Sequence, residues 1–112
     1  MGKTRLALIQ MKMSSEKKKN INNAISKIYK AKKKGAEIIC LPELFLTNYF
    51  CQTESHSNFK LAEKIPGKTS RIFCNLAKEL SVVLNITMFE KKTSGFYHNT
   101  SIIIGENGNI LS

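Results

Sequence analysis

A single carboxylate, Glu43, directly follows the apolar segment AEIICLP, and apolar or aromatic residues such as Leu44, Phe45 and Phe50 come soon after it. Burying a carboxylate costs several kcal/mol unless it is paired or hydrogen-bonded, so a glutamate in this setting is expected to have a partner or a chemical role. Apolar surroundings also raise the pKa of a carboxyl group, which suits a general base. The position alone leaves a second interpretation open, in which Glu43 caps the loop or pairs with a lysine.

The sequence contains no complete motif for a phosphate-binding loop, a serine triad or a zinc site. The segment PGKTS resembles the end of a phosphate-binding loop, but Ala62 stands where that loop requires its first glycine. A serine triad is disfavoured because the chain has no aspartate and no G-x-S-x-G segment. The cysteines form no CxxC pair, and with His56 and His98 they match no usual zinc spacing. These cysteines are Cys40, Cys51 and Cys74. No metal site is predicted, and the odd number of cysteines fits a reducing compartment.

The formal net charge is +10 at pH 7, and only two of the 18 basic residues, Arg5 and Arg71, are arginines. The lysines concentrate at 17–19 and 32–34, the two ends of one predicted helix. We interpret them as a solvated helix face, because sites that read nucleic-acid sequence favour arginine with interleaved aromatic residues. A small basic module that binds RNA or DNA stays open as an alternative.

Composition and length describe one small globular domain. Hydrophobic residues make up 42% of the 112 residues, and no apolar run approaches the roughly 20 residues that span a bilayer. The first residues show no apolar core of a secretory signal. A cytoplasmic location is therefore expected.

The hydrophobic pattern predicts the element order β-α-β-α-β-β, which indicates an α/β fold. The first strand covers 4–11. The helix that follows is capped by Ser14 or Ser15 and ends at Gly35, and its inward apolar stripe is Ile21, Ala24, Ile25 and Ile28. A second strand at 36–41 stops at Pro42, and an irregular stretch at 44–66, with a helical turn near 59–64, follows it. The later elements are a helix at 69–80 capped by Thr69 or Ser70, and strands at 82–90 and 99–105. KKTSGFYH is a turn or hairpin connection between these strands, and ENGN is a tight turn.

The strings GAEIICLPELFLTNYFCQ, LAEKIPG, LAKELSVVLNITMFEKK, FYHNTSIII and ENGNIL together resemble the amino-terminal part of the nitrilase superfamily of carbon-nitrogen hydrolases. Within it, LPELF with NYFCQ is most similar to the N-carbamoylputrescine amidase branch. The resemblance covers essentially the whole chain. It implies an α-β-β-α sandwich, of which this chain forms the amino-terminal portion.

The resemblance further implies a Glu-Lys-Cys catalytic set in which Glu43 is the general base. Tyr49 and Phe50 either line the substrate pocket or pack the loop. The reaction would hydrolyse a carbamoyl or amide C–N bond in polyamine biosynthesis, with no metal or cofactor. The family's tendency to form homo-oligomers is expected to carry over.

Residues 1–112 are then a partial carbon-nitrogen hydrolase domain that lacks the family's catalytic lysine and nucleophilic cysteine. Cys40 is expected to be a buried, small apolar residue of the second strand. None of the three cysteines matches the nucleophile, so the chain is expected to be inactive alone. It is either a truncated product or one part of an enzyme that a complementing chain completes. A non-catalytic interaction protein is a further alternative.

Overall fold

The computed structural model describes residues 4–12, 16–42, 64–93 and 96–111, and it confirms the predicted order β-α-β-α-β-β. The elements are β1 (Leu6–Leu8), α1 (Lys17–Lys33), β2 (Ile38–Cys40), α2 (Lys68–Leu80), β3 (Val83–Thr93) and β4 (Phe96–Ile104). Within these ranges, no helix combines the length and the apolar character needed to cross a bilayer.

The four strands form one sheet in the order β1-β2-β3-β4. The first three strands are parallel, and β4 returns antiparallel beside β3. Because both strand-helix-strand crossovers advance in the same direction, right-handed connections place α1 and α2 on the same face of the sheet.

The core lies between this sheet and the two helices. From β3 it takes Leu84, Ile86 and Met88, which alternate along the strand and have no exposed surface. Phe73 of α2 and Ile28 of α1 are likewise fully buried. Alternation of side chains along a strand sends the intervening residues to the other face.

That second face of the sheet carries no described helix, and we call it the helix-free face. Its strand residues include Leu6, Leu8, Ile38, Cys40, Val83, Asn85, Thr87, Ser101 and Ile103, as the strand registers show. Three of them are large exposed hydrophobic residues: Leu6 (56%), Leu8 (73%) and Ile103 (41%). This face is therefore apolar and largely open.

Helix α1 follows its predicted apolar stripe, with Ala24 and Ile28 buried at a spacing of four residues. It ends where predicted, because Gly35 adopts a positive φ of 93° that a side chain would strain. Arg5, just before β1, donates a hydrogen bond from Nη1 to the carbonyl oxygen of Lys34 at 2.5 Å. The predicted caps at positions 14 and 15 lie outside the described residues, and Glu16 holds the cap position.

α2 begins within one residue of its predicted start, but the predicted cap residue was wrong. Gly67 is the cap residue, while Thr69 and Ser70 lie within the first turn and are buried. Ser70 Oγ instead reaches back and accepts a hydrogen bond from the Gly67 amide at 2.7 Å. A glycine is required at the cap because a Cβ there would collide with the carbonyl oxygen of Lys64.

The segment KKTSGFYH, predicted as a turn or hairpin connection, does join β3 and β4 as a hairpin, but most of it is strand. β3 continues to Thr93 and β4 begins at Phe96, with paired residues from Leu84↔Ile104 to Thr93↔Phe96 and a register shift near the tip. The predicted ENGN turn is confirmed: the Gly105 amide donates to the Asn109 carbonyl oxygen at 2.8 Å, and Gly108 has a φ of 86°.

Candidate active site

The three parallel strands bring their carboxyl-terminal ends to one edge of the sheet, where ligand sites of open α/β folds usually lie. Pairing continues one residue past β1 and β2. The Ile9 amide donates to the Cys40 carbonyl oxygen at 2.9 Å, and the Leu41 amide donates to that of Asn85 at 3.0 Å. Leu41 is buried, so the end of β2 is fixed up to the proline at position 42, immediately before Glu43.

The residues predicted to form the site itself, Glu43, Tyr49 and Phe50, lie outside the described residues, as does Cys51. Most of the predicted irregular stretch and its helical turn near 59–64 do so as well. The roles of these residues therefore stay predictions. The structure describes the end of β2 and its neighbouring strands, which precede these residues in the chain.

A two-stranded arm extends along the strand direction beyond the end of β2. β2 pairs with β3 only at Val83–Asn85, so the later residues of β3 pair with β4 alone. This arm is at the same edge of the sheet as the chain segment that leads into Glu43. The arm therefore lies on the β3 side of the point where the chain leaves β2 at Pro42.

The arm carries one buried carboxylate, Glu90, which is only 8% exposed. Its Oε1 accepts a hydrogen bond of 2.8 Å from Thr100 Oγ1 on β4. Thr100 pairs with Met88 and is therefore a diagonal neighbour of Glu90 on the helix-covered face. This contact gives Glu90 a structural role as the hydrogen-bond acceptor for Thr100. The sequence did not identify Thr100 as the partner, because only the strand register brings the two together.

The two described cysteines do not resemble an activated nucleophile. Cys40 is half-buried in β2, on the helix-free face, rather than fully buried as its strand position had suggested. Cys74 lies in α2, where burial raises the pKa of its thiol. A reactive cysteine needs the opposite shift, toward the thiolate. In the part of the chain that the structure covers, His, Cys, Asp and Glu also form no group of three suited to a metal ion.

A cavity of about 750 Å³ lies at the opposite edge of the sheet. Its wall includes Thr4 before β1, Glu37 before β2, Ser81 before β3 and Glu106 after β4, so it opens at the amino-terminal ends of the parallel strands. It is therefore separate from the edge at which the chain leaves β2 toward Glu43.

Comparison with known proteins gives consistent results for sequence and structure. The family model described as "Carbon-nitrogen hydrolase" matches residues 5–112. The chain is 36% identical over 111 residues to the omega-amidase NIT2-B of Xenopus laevis, covering 99% of this chain and 39% of that protein. It is 35% identical over 103 residues to the N-carbamoylputrescine amidase of Oryza sativa subsp. japonica, covering 91% and 34%.

Among solved structures, a carbon-nitrogen hydrolase from Helicobacter pylori G27 superposes with a TM-score of 0.88 at 31% identity, covering 95% of this chain and 37% of that one. An amidase from Nesterenkonia sp. shares the fold with a TM-score of 0.73 at 18% identity. This chain thus spans about two fifths of the length of the relatives it matches.

Proposed function

Because the chain belongs to the carbon-nitrogen hydrolase family, we propose that it is the amino-terminal part of an amidase that releases ammonia from an amide or carbamoyl group. The family match over residues 5–112 carries this proposal. The fold supports it, because the interior strand β2 ends at the carboxyl-terminal edge of the sheet. From there the chain continues through Pro42, the residue directly before Glu43.

In the proposed mechanism Glu43 is the general base. It takes the proton of a cysteine thiol, and the thiolate attacks the carbonyl carbon of the amide or carbamoyl group. A lysine stabilises the negative oxygen of the tetrahedral intermediate, and ammonia leaves with a proton returned by Glu43. Glu43 then activates a water molecule that hydrolyses the covalent intermediate, a thioester from an amide or a thiocarbamate from a carbamoyl group. The thiocarbamate gives a carbamic acid, which breaks down to carbon dioxide and the amine. Neither metal nor cofactor takes part in these steps.

Tyr49 and Phe50 are proposed to form an apolar wall of the substrate pocket. The substrate we propose is N-carbamoylputrescine. The LPELF and NYFCQ segments and the similarity to the rice enzyme support this proposal. An omega-amidase substrate is the runner-up, because the identity to those relatives is equally high. For N-carbamoylputrescine the products would be putrescine, carbon dioxide and ammonia.

The lysine and the cysteine of this mechanism are proposed to come from further polypeptide that residues 1–112 do not contain, either a continuation or a complementing chain. We propose that this polypeptide packs on the helix-free face. Rows of neighbouring side chains cross that face, one of which joins Leu8, Cys40, Asn85 and Ile103 through the strand register. Covering such exposed apolar surface is favourable by about 25 cal/mol per Å². A homo-oligomer of the completed enzyme is part of this proposal.

The test combines the chain with a polypeptide made from the part of the rice N-carbamoylputrescine amidase that the chain does not match. The two are co-expressed and purified together, and ammonia release from N-carbamoylputrescine is measured. We expect activity from the complex and none from the chain alone. Leu8→Asp should prevent co-purification, because it places a charge in the proposed contact.

Glu43→Gln in the complex should lower kcat by roughly 10²- to 10⁴-fold, the usual contribution of a general base. The matched control is Glu37→Gln, because Glu37 is an exposed glutamate at the other end of β2. Undiminished activity of the Glu43→Gln complex would reject the assignment. Turnover by the purified chain alone would reject the need for further polypeptide.

A further inference from the structure

We propose that the groove between the amino-terminal halves of α1 and α2 binds a small amphipathic anion, meaning an apolar chain or ring that carries one carboxylate or phosphate group. The groove has a volume of about 490 Å³, within the range of small-molecule sites. We call it the α1–α2 groove. It is distinct from the sheet edge where Glu43 follows β2, so this proposal stands apart from the catalytic one.

Part of the wall of the α1–α2 groove is apolar. Three half-buried isoleucines, Ile21 and Ile25 of α1 and Ile72 of α2, form this part, and the other lining residues are polar or basic. Both helices therefore contribute, and part of each isoleucine side chain stays in contact with solvent. An apolar ligand group placed there would remove this surface from water, which is favourable in proportion to the area covered.

The groove is also basic, with Lys18 on α1 and Lys68 on α2, both exposed. None of the described residues that line the groove is acidic. Within the described ranges neither Lys18 nor Lys68 forms an ion pair. The cap residue of α1, Glu16, pairs with Lys19 at 3.7 Å and offsets the positive end of that helix dipole. The first turn of α2 contains no acidic residue, so the positive end of the α2 dipole adds to the potential of the lysines.

These two properties together define the ligand class. Positive charge disfavours a cation, and a small inorganic anion would leave the isoleucines uncovered. A nucleic-acid backbone is drawn by charge alone and gains little from an aliphatic wall. An anion with an apolar group satisfies both the lysines and the isoleucines, so it is the ligand that the groove fits best.

The test uses decanoate as the probe and decyltrimethylammonium as its cationic counterpart of equal chain length. Two-dimensional ¹H–¹⁵N spectra of the complete 112-residue chain are recorded during titration with each, below the micelle concentration. We expect decanoate to shift the amide signals of Ile21, Ile25 and Ile72 in a saturable, salt-sensitive manner. Equal shifts with the cation, or decanoate shifts confined to the helix-free face, would overturn the proposal.

A pair of charge-matched variants separates the groove from the general positive charge. Lys18→Gln/Lys68→Gln should weaken decanoate binding by roughly 3- to 30-fold, as expected for losing two exposed charge pairs. Lys30→Gln/Lys33→Gln, which removes the same charge at the far end of α1, should leave it nearly unchanged. Equal weakening by both variants would overturn the proposal.

A second measurement keeps the test decisive if a variant loses its helical circular dichroism. Decanoate carrying a nitroxide group is added to the unaltered chain, and the broadening of amide signals maps where the probe lies. Broadening centred on the α1–α2 groove supports the proposal, and broadening centred elsewhere overturns it.

Discussion

Thr100→Val should destabilise the chain by about 1.5–3 kcal/mol, the usual cost of losing a hydrogen bond to a charged group. The substitution keeps the size and branching of the side chain, so it opens no cavity and preserves strand propensity. It removes only the hydroxyl that donates to Glu90 Oε1 at 2.8 Å. Since Glu90 is only 8% exposed, water replaces that donor poorly.

Thr87→Val is the matched control. Thr87 lies on β3 and pairs with Ser101 of β4, but it points to the helix-free face and is half-exposed. Among the described residues it makes no side-chain hydrogen bond. The free energy of unfolding of the Thr87→Val variant is therefore expected to differ from that of the unaltered chain by less than about 0.5 kcal/mol.

Urea unfolding followed by circular dichroism measures both variants, since the chain contains no tryptophan for fluorescence. With a slope of about 1–3 kcal/mol/M, the Thr100→Val midpoint should fall by roughly 1 M while the control stays in place. Equal midpoints for the two variants would refute the idea that the Thr100 hydroxyl holds the buried carboxylate.

Two further predictions concern other described contacts. Arg5→Gln should lower the free energy of unfolding by about 0.3–1 kcal/mol, because Arg5 caps the last turn of α1. Arg71→Gln, at an exposed position of α2, is the control and should cost less. Equal losses for the two variants would contradict the role of Arg5 as a cap. Cys74 should react with iodoacetamide more slowly at pH 8–9 than an unstructured cysteine, because burial raises its pKa above 9.0. An alkylation rate equal to that of a free cysteine would contradict the burial. Because the thiol of the unfolded chain loses its proton at a lower pH than the thiol of the folded chain, the free energy of unfolding should fall as the pH rises above about 9.

The features predicted well from the sequence are those set by local periodicity. The spacing of Ala24 and Ile28 identified the buried stripe of α1, and Gly35 marked its end because a positive φ is required there. The segment VVLNITMFE at 82–90 identified β3, in which Leu84, Ile86 and Met88 prove to be the buried residues. Each of these signals lies within one element and needs no knowledge of what packs against it.

The features predicted poorly depend on contacts that are distant in sequence. Serine at position 70 suggested a cap by residue type, but the cap is Gly67, because the close approach of the Lys64 carbonyl admits no side chain. The length of the β3–β4 arm was missed because its strands are stabilised by pairing with each other, which the pattern in KKTSGFYH does not show. Cys40 was expected to be fully buried, since a strand apolar on both faces does not indicate that one face is open.

In the proposed enzyme, Glu43 comes from this chain and the cysteine from further polypeptide, and the position of β2 in the sheet determines how the two meet. β2 is an interior strand, paired with β1 on one side and β3 on the other, so the path that leads to Glu43 is constrained on both sides. A proposed partner polypeptide seated on the helix-free face would contact Leu8, Cys40 and Ile103 in a single row. A shift of that partner by one strand spacing, about 4.8 Å, would move its thiol well outside hydrogen-bonding reach of the base. Substitutions on the helix-free face that still permit assembly should therefore lower kcat more than they raise KM, and the reverse result would separate this face from the placement of the nucleophile.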